Sequence, residues 1–496
     1  MFIGREEQLK LLDALWGRDS GVLVTCRGRR RIGKSTLIEE FALRSGARFI
    51  SIEGLAPHKR MTDAIQRKRF CEKVAEYAMR STVESETWSL AFSQLNELLS
   101  GEERTVVLLD EISWMGGWNH DFAGYLKEAW DKKLRKHANL ILVLCGSVSA
   151  WIVENILNST GFVGRNSLDI ELKELSIHDA VQIWGSCADR MSTREKLDML
   201  SVTGGVPKYL EEVRPSLSVD ENVRQMCFMP NGILFREFDE TFNQVFGRKA
   251  KVRGRILREL VNRPRMVAEI AEGERARVSG AYSKTLEDLC RAGYVMRDDG
   301  LNPLTGKLIR RARFRVCDNY VRFYLHYIEP RREAIRRGLF EFSSAEQLPG
   351  LQTFYGFQFE NLILNHVKDL FPYLGIDRSL VLSAFPYVQA PTKRHRGCQI
   401  DLLIQTQRTL IVVEIKRCKE IGYEVVDEVS EKVNRLAYDK ALSVRTALVY
   451  DGRLSPRVEA DRFFDFVIPA DRLFGVLDGA YHQHLQRAHD APLDVR

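Results

Sequence analysis

The sequence predicts an α/β protein built from several domains, and three observations predict it. An apolar, β-branched strand that begins at Val22 runs into a glycine-bearing loop and then into a helical pattern. Further apolar strands, at 105–110 and 140–147, alternate with helices, which is the order typical of a parallel sheet. The 496 residues suffice for three or four cores, and a new run of helix and strands starts at residue 351.

The loop after the first strand has the spacing of a phosphate-binding loop, with Gly28, four residues, Gly33, Lys34, Ser35 and Thr36. Its glycines let backbone N–H groups close around phosphate oxygens, and the following helix presents its positive end to the same charge. Lys34 can reach the β- and γ-phosphates, and the Ser35 hydroxyl can ligate Mg²⁺. A basic turn without a ligand is the alternative, but strand, loop and helix agree. The sequence therefore predicts ATP and Mg²⁺ as ligands.

Two later strands end in residues suited to the same site. The strand 105–110 ends in Asp110 and is followed by Glu111, so we expect Asp110 to hold the metal and Glu111 to act as the base that polarises the attacking water. The strand 140–146 leads to Ser147, which could sense the γ-phosphate. A simple turn at the end of that strand explains Ser147 equally well.

Several motifs together resemble the archaeal-type ATPase family of the STAND branch of AAA+ ATPases. They are Phe2-Ile-Gly-Arg-Glu-Glu, the phosphate loop, Leu-Leu-Asp-Glu-Ile, Cys-Gly-Ser and Thr203-Gly-Gly-Val-Pro-Lys-Tyr-Leu. The resemblance implies an ATPase core over 1–168 and a helical lid over 169–244, with residues 2–5 and Pro207 contacting the adenine. It also implies that Arg165 could act in trans or as a sensor, although the residue pattern alone shows only a loop arginine.

The net charge is +7, and basic residues concentrate in the middle of the chain. Three clusters stand out: Arg248, Lys249, Lys251, Arg253, Arg255 and Arg258; Lys307, Arg310, Arg311, Arg313 and Arg315; and Arg331, Arg332, Arg336 and Arg337. Each alone is typical of a solvated helix face. Three in one region are as readily explained by a surface for a polyanion.

Residues 245–335 read as three short helices and a hairpin, the layout of a winged helix-turn-helix. The third helix offers Ser279, Tyr282, Ser283 and Lys284 to a DNA groove. Such units also serve as spacers or protein contacts, so both functions stay open.

The last domain, 351–475, carries a second group of charged side chains. Along the strand 408–416, Glu414 and Lys416 point to the same face because side chains alternate. Asp401 on the preceding strand can lie beside Glu414, and two adjacent carboxylates form a hard-oxygen site for Mg²⁺ or Mn²⁺. Glu360, on the helix before them, can help to hold the metal. A structural salt bridge between Glu414 and Lys416 is the alternative.

The ordered set Glu360, Asp401 and Glu414-Ile-Lys416 resembles the PD-(D/E)XK nuclease superfamily, with Ile400 in place of the proline usual before the aspartate. The resemblance implies a restriction-endonuclease-like α/β domain in which Asp401, Glu414 and Lys416 are catalytic. A bound metal would lower the pKa of water, and Lys416 would orient that water.

The combined prediction is an ATP-binding, ATP-hydrolysing switch coupled to a metal-dependent nuclease, with double-stranded DNA as the expected partner and a homo-oligomer as the expected assembly. The family association suggests genome defence or mobile-element biology. An ATP-dependent DNA-binding regulator or scaffold with a non-cleaving nuclease fold, and a motor that remodels a protein partner, remain alternatives. No apolar run long enough for a membrane, no signal peptide and nine scattered cysteines favour a cytoplasmic protein.

Overall fold

The computed structural model describes residues 2–99, 101–147, 149–246, 250–393 and 395–475. Arg248 and Lys249 of the first basic cluster lie outside the described residues.

The N-terminal part is a parallel sheet with strand order β2-β3-β4-β1-β5. Its strands are β1 (Val22–Gly28), β2 (Arg48–Glu53), β3 (Thr105–Asp110), β4 (Leu140–Gly146) and β5 (Asn166–Leu172). The central strands β1, β3 and β4 are mostly apolar and buried because helices cover both faces of the sheet, whereas the edge strands β2 and β5 also carry polar residues. Since β1 lies between β4 and β5, and β4 lies against β3, the carboxyl ends of β1, β3 and β4 meet at one edge.

Helices pack on the two faces of this sheet in separate apolar clusters. They are α1 (Glu6–Asp13), α2 (Lys34–Arg44), α3 (Asp63–Tyr77), α4 (Trp88–Leu98), α5 (Ile112–Gly116), α6 (Phe122–Lys132) and α7 (Ser149–Ile152). Cys26 and Cys145 are register partners on neighbouring strands, and both are fully buried, so they pack as small apolar side chains in the core. The predicted boundary at 168/169 is wrong by a few residues, because β5 crosses it and belongs to the sheet.

A group of helices follows the sheet over the range in which the sequence predicts a lid, and we call it the lid. It comprises α8 (Ile177–Gln182), α9 (Thr193–Thr203), α10 (Pro207–Leu210), α11 (Val219–Cys227) and α12 (Ile233–Phe246). Ser176, Ser192 and Ser218 cap three of these helices by accepting a backbone N–H, which explains where the helices begin.

We call residues 250–336 the middle unit. It comprises α13 (Ala250–Leu260), β6 (Arg265–Met266), α14 (Val267–Gly273), α15 (Gly280–Arg291), β7 (Val295–Asp298), β8 (Arg313–Val316), α16 (Asn319–Phe323) and α17 (Arg332–Arg336). The short strands pair antiparallel in the order β6-β8-β7. The element order is the predicted one of three helices and a hairpin.

We call residues 351–475 the C-terminal unit. It comprises α18 (Leu351–Asn365), β9 (Val381–Gln389), β10 (Cys398–Thr406), β11 (Thr409–Ile421), α19 (Glu424–Arg435), β12 (Ser443–Leu454), α20 (Pro456–Ala460) and β13 (Phe466–Pro469). The mixed sheet has the order β13-β12-β11-β10-β9, antiparallel from β9 to β11 and parallel from β11 to β13. Pro386 lies in the edge strand β9, as its missing N–H requires.

The units pack into one continuous apolar cluster that runs from the ATPase sheet through the lid to α18 and β11. The loop between β7 and β8 lies on the C-terminal unit, where Leu301 N donates to Ser383 Oγ at 3.0 Å and Asp439 N donates to Pro303 O at 3.1 Å. Within the described ranges, no helix is both long and apolar enough to cross a bilayer. The nine cysteines, all in described segments, are free thiols.

Candidate functional sites

The phosphate loop has the backbone that its sequence predicts. Gly28 has φ +150°, and a Cβ there would lie 2.4 Å from the carbonyl oxygen of Leu172, so a side chain cannot be accommodated. Lys34, only 6% exposed, donates from Nζ to the carbonyl oxygens of Gly28 and Arg29 at 3.2 and 3.0 Å. The loop is therefore wound around the ammonium group that the sequence assigns to phosphate binding.

Ser35 and Asp110, the predicted magnesium ligands, are in contact. Ser35 Oγ donates to Asp110 Oδ2 at 2.5 Å, and Asp110 Oδ1 accepts from the N–H of Glu111 at 2.9 Å. A hydroxyl and a carboxylate side by side are hard oxygen donors of the kind Mg²⁺ prefers, so the residues present fit the expected ion.

Glu111 and Ser147 form the second contact at this edge. Glu111 is 8% exposed, and its Oε2 accepts from Ser147 N at 3.0 Å and from Ser147 Oγ at 2.8 Å. Glu111 also has left-handed backbone angles, φ 45° and ψ 47°, a strained conformation that clusters at functional sites. Ser147 is therefore more than a turn residue in this structure: it holds the expected base.

A cavity of about 420 Å³ gathers the remaining predicted nucleotide residues. Its lining includes Gly33, Lys34, Ser35, Thr36, Asp110 and Glu111 from the core and Pro207 from the lid helix α10. Glu53, at the end of β2, also lines it, and burial together with Asp110 and Glu111 raises the pKa of Glu53. Sequence reasoning missed Glu53, although β2 shows the same signal as β3, an apolar strand that ends in an acid.

Arg165 lies far from this cavity. Arg165 directly precedes β5, and Leu172 at the other end of β5 is the register partner of Gly28, so Arg165 and Gly28 are separated by the length of a strand, about 20 Å. Its guanidinium forms a bidentate ion pair with Asp131 at 2.6 and 2.9 Å. The structure does not bring Arg165 to its own phosphate loop, so a role in ATP hydrolysis would need a second copy of the chain.

Two arginines inside the phosphate loop are bound by acids of later units. Arg29 Nη1 lies 2.5 Å from Asp318 Oδ2, at the start of α16, and Arg29 Nη2 donates to the Tyr209 hydroxyl at 3.0 Å. Arg31 Nη2 lies 2.8 Å from Glu237 Oε2 on α12. The loop is thus fastened to both the lid and the middle unit. The sequence motif leaves these positions unspecified, so it contains no signal for their partners.

Glu174 completes this cluster and gives it a pH dependence. Its Oε2 accepts from Gly205 N at 3.1 Å, and its Oε1 lies 3.6 Å from Arg29 Nη1. Burial, reinforced by the charge of Asp318, raises the pKa of Glu174 to about 7. Between the ordinary pKa of a glutamate and this value, the folded protein holds a proton that the unfolded chain has released.

We therefore expect the free energy of unfolding to fall as pH rises from about 5 to 7 by up to about 1.4 kcal/mol per pH unit, relative to the Glu174→Gln variant. The variant does not titrate but keeps an oxygen for the Gly205 N–H. Urea unfolding of both proteins across this range measures the difference. A difference that does not change with pH would contradict the raised pKa.

The C-terminal unit brings Asp401, Glu414 and Lys416 together as predicted. Asp401 stands opposite Glu414, one step beyond the Leu402–Val413 pair, and its Oδ2 accepts from the Ile415 N–H at 3.0 Å. Lys416 Nζ lies 2.8 Å from Glu414 Oε1. Glu414 is 1% exposed, so this strand places a carboxylate and an amine on one largely buried face.

A second lysine, missed from the sequence, also binds Glu414. Lys432 on α19 donates from Nζ to Glu414 Oε2 at 2.6 Å. Glu428, one turn earlier on the same helix, lies 2.9 Å from both Lys416 and Lys432. The spacing of Glu428 and Lys432, four residues apart on a helix, was the available signal, but it also fits an ordinary surface pair.

Glu360 is near this pair but does not complete a three-ligand centre. Burial, with the charges of Glu414 and Glu360, raises the pKa of Asp401 to about 7, and burial raises the pKa of Glu360. Yet no three His, Cys, Asp or Glu side chains of the described residues are grouped closely enough to hold one ion. The expected set of Glu360, Asp401 and Glu414 is therefore reduced to the pair Asp401–Glu414, whose oxygens suit Mg²⁺ or Mn²⁺.

The three basic clusters separate clearly in the structure. In the first and third, most arginines are paired inside the fold: Arg253 with Asp288, Arg255 with Glu274, Arg258 with Glu329, Arg332 with Asp239, and Arg336 and Arg337 with Glu333. In the second, Lys307, Arg310, Arg311 and Arg313 have no carboxylate within 4 Å among the residues that the structure describes. Among the residues that the structure describes, unpaired cations are therefore most concentrated in the second cluster, in which Arg315 alone is paired, with Asp298.

The predicted DNA-reading face of α15 is largely occupied within the protein. Ser279 caps the helix, and Tyr282 is buried with its hydroxyl donating to Glu274 at 2.8 Å. Lys284 lies 2.8 Å from Glu154 of the ATPase core. These contacts turn α15 toward the core and count against the expectation that this helix enters a DNA groove. Of the four predicted DNA-contacting residues, only Ser283 is without such a contact, and one serine is too little to support that expectation.

The parallel sheet, the phosphate loop and the acidic end of β3 together define a P-loop ATPase domain. Residues 2–213 match the family described as an ATPase domain predominantly from Archaea. This part of the chain is therefore similar to ATPase domains of archaeal type, and the similarity supports ATP binding and ATP hydrolysis.

Two relatives come from Methanocaldococcus jannaschii. An uncharacterized protein is 22% identical over 424 residues, which cover 84% of this chain and 87% of that protein. An uncharacterized ATP-binding protein is 42% identical over 41 residues, 8% of this chain and 70% of that protein. The first similarity extends well beyond the ATPase domain.

Two solved structures are similar over the larger part of the chain. The Walker-type ATPase of Pyrococcus abyssi aligns with a TM-score of 0.45 and 16% identity, over 65% of this chain and 96% of that one. The ORC2 protein of Aeropyrum pernix, in its ADPNP–ADP complexes, aligns with a TM-score of 0.41 and 14% identity, over 68% of this chain and 94% of that one.

Proposed function

We propose that the protein is an ATP-driven switch whose C-terminal unit hydrolyses phosphodiester bonds of nucleic acid with the help of a divalent metal. The observation that carries the proposal is the placement of Asp401, Glu414 and Lys416 on one face of two paired strands. Asp401 also lines a cleft whose opposite wall is rich in arginine. Carboxylates for a metal and arginines for phosphate are what such a reaction needs.

In the ATPase half, each residue has one task. Lys34 and the loop N–H groups bind the phosphates, while Ser35 and Asp110 hold Mg²⁺. Glu111 accepts the proton of the attacking water, and Ser147 keeps its carboxylate oriented through two hydrogen bonds. In this proposal Arg165 contributes only when a neighbouring copy presents it in a homo-oligomer.

In the C-terminal half, a bound metal would supply a lowered water pKa and a positive charge for the phosphate. Asp401 and Glu414 would hold it, and Glu360 lines the same cleft as Asp401. Lys416 would orient the attacking water, and Lys432 neutralises Glu414 while no metal is bound. A metal would therefore compete with Lys432 for Glu414 Oε2.

Buried polar contacts supply a route from one half to the other. Asp318 binds Arg29 of the phosphate loop, and its neighbour Asn319 accepts at Oδ1 from Asn361 Nδ2 at 2.7 Å. Asn361 precedes by one turn the end of α18 and directly follows Glu360. A change in the phosphate loop can therefore move the helix that carries Glu360.

Cleavage assays on the intact protein test the proposal. With Mg²⁺ or Mn²⁺, we expect Glu414→Gln to reduce cleavage by about 100-fold or more and to leave ATP hydrolysis unchanged, because the two sites are separate. Lys34→Ala should abolish ATP hydrolysis and alter cleavage only through the coupling. Full cleavage by Glu414→Gln would contradict the assignment.

One observation favours a second function. Both oxygens of Glu414 are already bound by lysines, and within the described chain three ligands do not cluster. An ATP-dependent DNA-binding regulator with a non-cleaving nuclease fold would show this arrangement. It would bind nucleic acid in an ATP-dependent way and cleave none of the substrates offered.

A further inference from the structure

The cleft between the middle unit and the C-terminal unit has a distinct composition. Its volume is about 320 Å³. One wall carries five arginines of the middle unit, and the other is formed by α18, β9 and β10 with Glu360 and Asp401. The arginines are Arg263, Arg311, Arg313, Arg315 and Arg322.

Three of these arginines lack an acidic partner in the described part of the chain. Arg315 is paired with Asp298, and the charge of Glu360 acts on Arg322, whereas Arg263, Arg311 and Arg313 have no carboxylate within 4 Å. Arg313 and Arg322 donate only to the carbonyl oxygens of Pro264 and Val261. Most other arginines of the middle unit that the structure describes are ion-paired, so unpaired positive charge is concentrated at the cleft.

An exposed aromatic ring accompanies these charges. Phe357 of α18 lines the same cleft and is 49% exposed, although the aromatic residues around it on this helix, Phe354 and Phe359, are buried. Guanidinium groups that follow a backbone, together with aromatic rings on which bases stack, are the combination by which proteins bind single strands.

The cleft is too small to enclose a duplex. Its volume of about 320 Å³ lies at the lower end of the range for sites that hold one small ligand, so only a short part of an unpaired strand fits within it. The loop between β7 and β8 is fixed on β9, where a Cβ on Gly300 would lie 3.0 Å from Ser383 Oγ and 3.2 Å from Phe385 Cβ. This docking holds one wall over the other.

We propose that the cleft binds a single-stranded nucleic acid, with Phe357 stacking on a base and Arg263, Arg311 and Arg313 binding the phosphates. The strand then passes Asp401. If the C-terminal unit is the nuclease proposed above, the strand that it cuts must be unpaired, and this consequence rests on the proposed function. A single strand then takes the place of the double-stranded DNA that the sequence predicts as the partner. DNA and RNA share the backbone and bases that this chemistry recognises.

Fluorescence anisotropy in EDTA measures binding without cleavage, on the full chain with a labelled mixed-sequence DNA strand, its duplex and the matching RNA strand. We expect a single strand to bind at least tenfold more tightly than the duplex. The double variant Arg311→Ala/Arg313→Ala should weaken this binding at least tenfold and lower the slope of log affinity against log salt by about 1.4. Arg336→Ala/Arg337→Ala, which removes the same charge from exposed arginines outside the cleft, should change neither.

Phe357→Ala tests the stacking contact separately. It should weaken single-strand binding by about tenfold and leave the salt slope unchanged, because no phosphate contact is lost. Trp118→Ala, which truncates an exposed aromatic side chain of the ATPase core, is the control. Both residues are a little under half exposed, and thermal melts check that each variant is folded.

The outcomes distinguish this proposal from the nuclease. Equal or tighter binding of the duplex, or unchanged binding by the arginine and Phe357 variants, overturns the single-strand cleft even if cleavage by Asp401 and Glu414 is observed. Single-strand binding that depends on these residues supports the cleft even if no substrate is cut. Preference for the RNA or the DNA strand identifies which of the two occupies it.

Discussion

Glu111→Gln is expected to reduce ATP hydrolysis by about 10²–10⁴-fold while leaving ATP binding within threefold of the wild-type protein. The amide cannot accept the proton of the attacking water, but its oxygen can still accept the hydrogen bonds from Ser147 N and Oγ. Lys34, Ser35 and Asp110 remain in place to bind the phosphates and the metal. Single-turnover hydrolysis and equilibrium nucleotide binding measure the two effects.

Glu103→Gln is the matched control, because this glutamate is exposed just before β3 and is outside the cavity. We expect it to hydrolyse ATP at the wild-type rate. If Glu111→Gln also did so, Glu111 would not be the base. Glu53, which lines the cavity at the end of β2, would then be the next carboxylate to replace.

Arg29→Ala should destabilise the protein by about 3–5 kcal/mol, the cost of leaving one member of a buried ion pair without its partner. The side chains of Arg29 and Asp318 are 5% and 0% exposed, so water cannot replace the lost contact. The same truncation removes the hydrogen bond to Tyr209 and the packing of the guanidinium over the rings of Tyr209 and Tyr294. Chemical unfolding of the full chain measures the loss.

Arg44→Ala supplies the comparison. Arg44 pairs with Glu40 and Glu6, but its side chain is 43% exposed and water screens both pairs, so truncation should change the stability far less than Arg29→Ala does. A loss of similar size in both variants would show that Arg29 and Asp318 do not form a buried pair. Arg29→Ala with restored stability in an Asp318→Leu background would identify the unpaired carboxylate as the cause.

The local chemistry of both sites is predictable because each motif is short in sequence. A strand, two glycines and Lys34 form a phosphate loop through local geometry, and the alternation of a strand places Glu414 beside Lys416. The features that the sequence did not reveal depend on how distant segments are placed. Lys432 comes from a helix after the strand, and Glu53 comes from a strand that was not recognised. Arg165 lies at the opposite end of the sheet from the phosphate loop.

The sequence by itself determined that this chain binds ATP, that it carries a mixed α/β unit at its C-terminal end, and where the carboxylates and the lysine of that unit lie. Tertiary structure alone decided which charges are free. Arg253 and Arg332 are neutralised by acids brought from other elements, whereas Arg311 faces a cleft. A run of basic residues looks the same in sequence whether its charge is neutralised or free. The acidic partner that would neutralise it is brought by the packing of helices and strands that are remote in sequence.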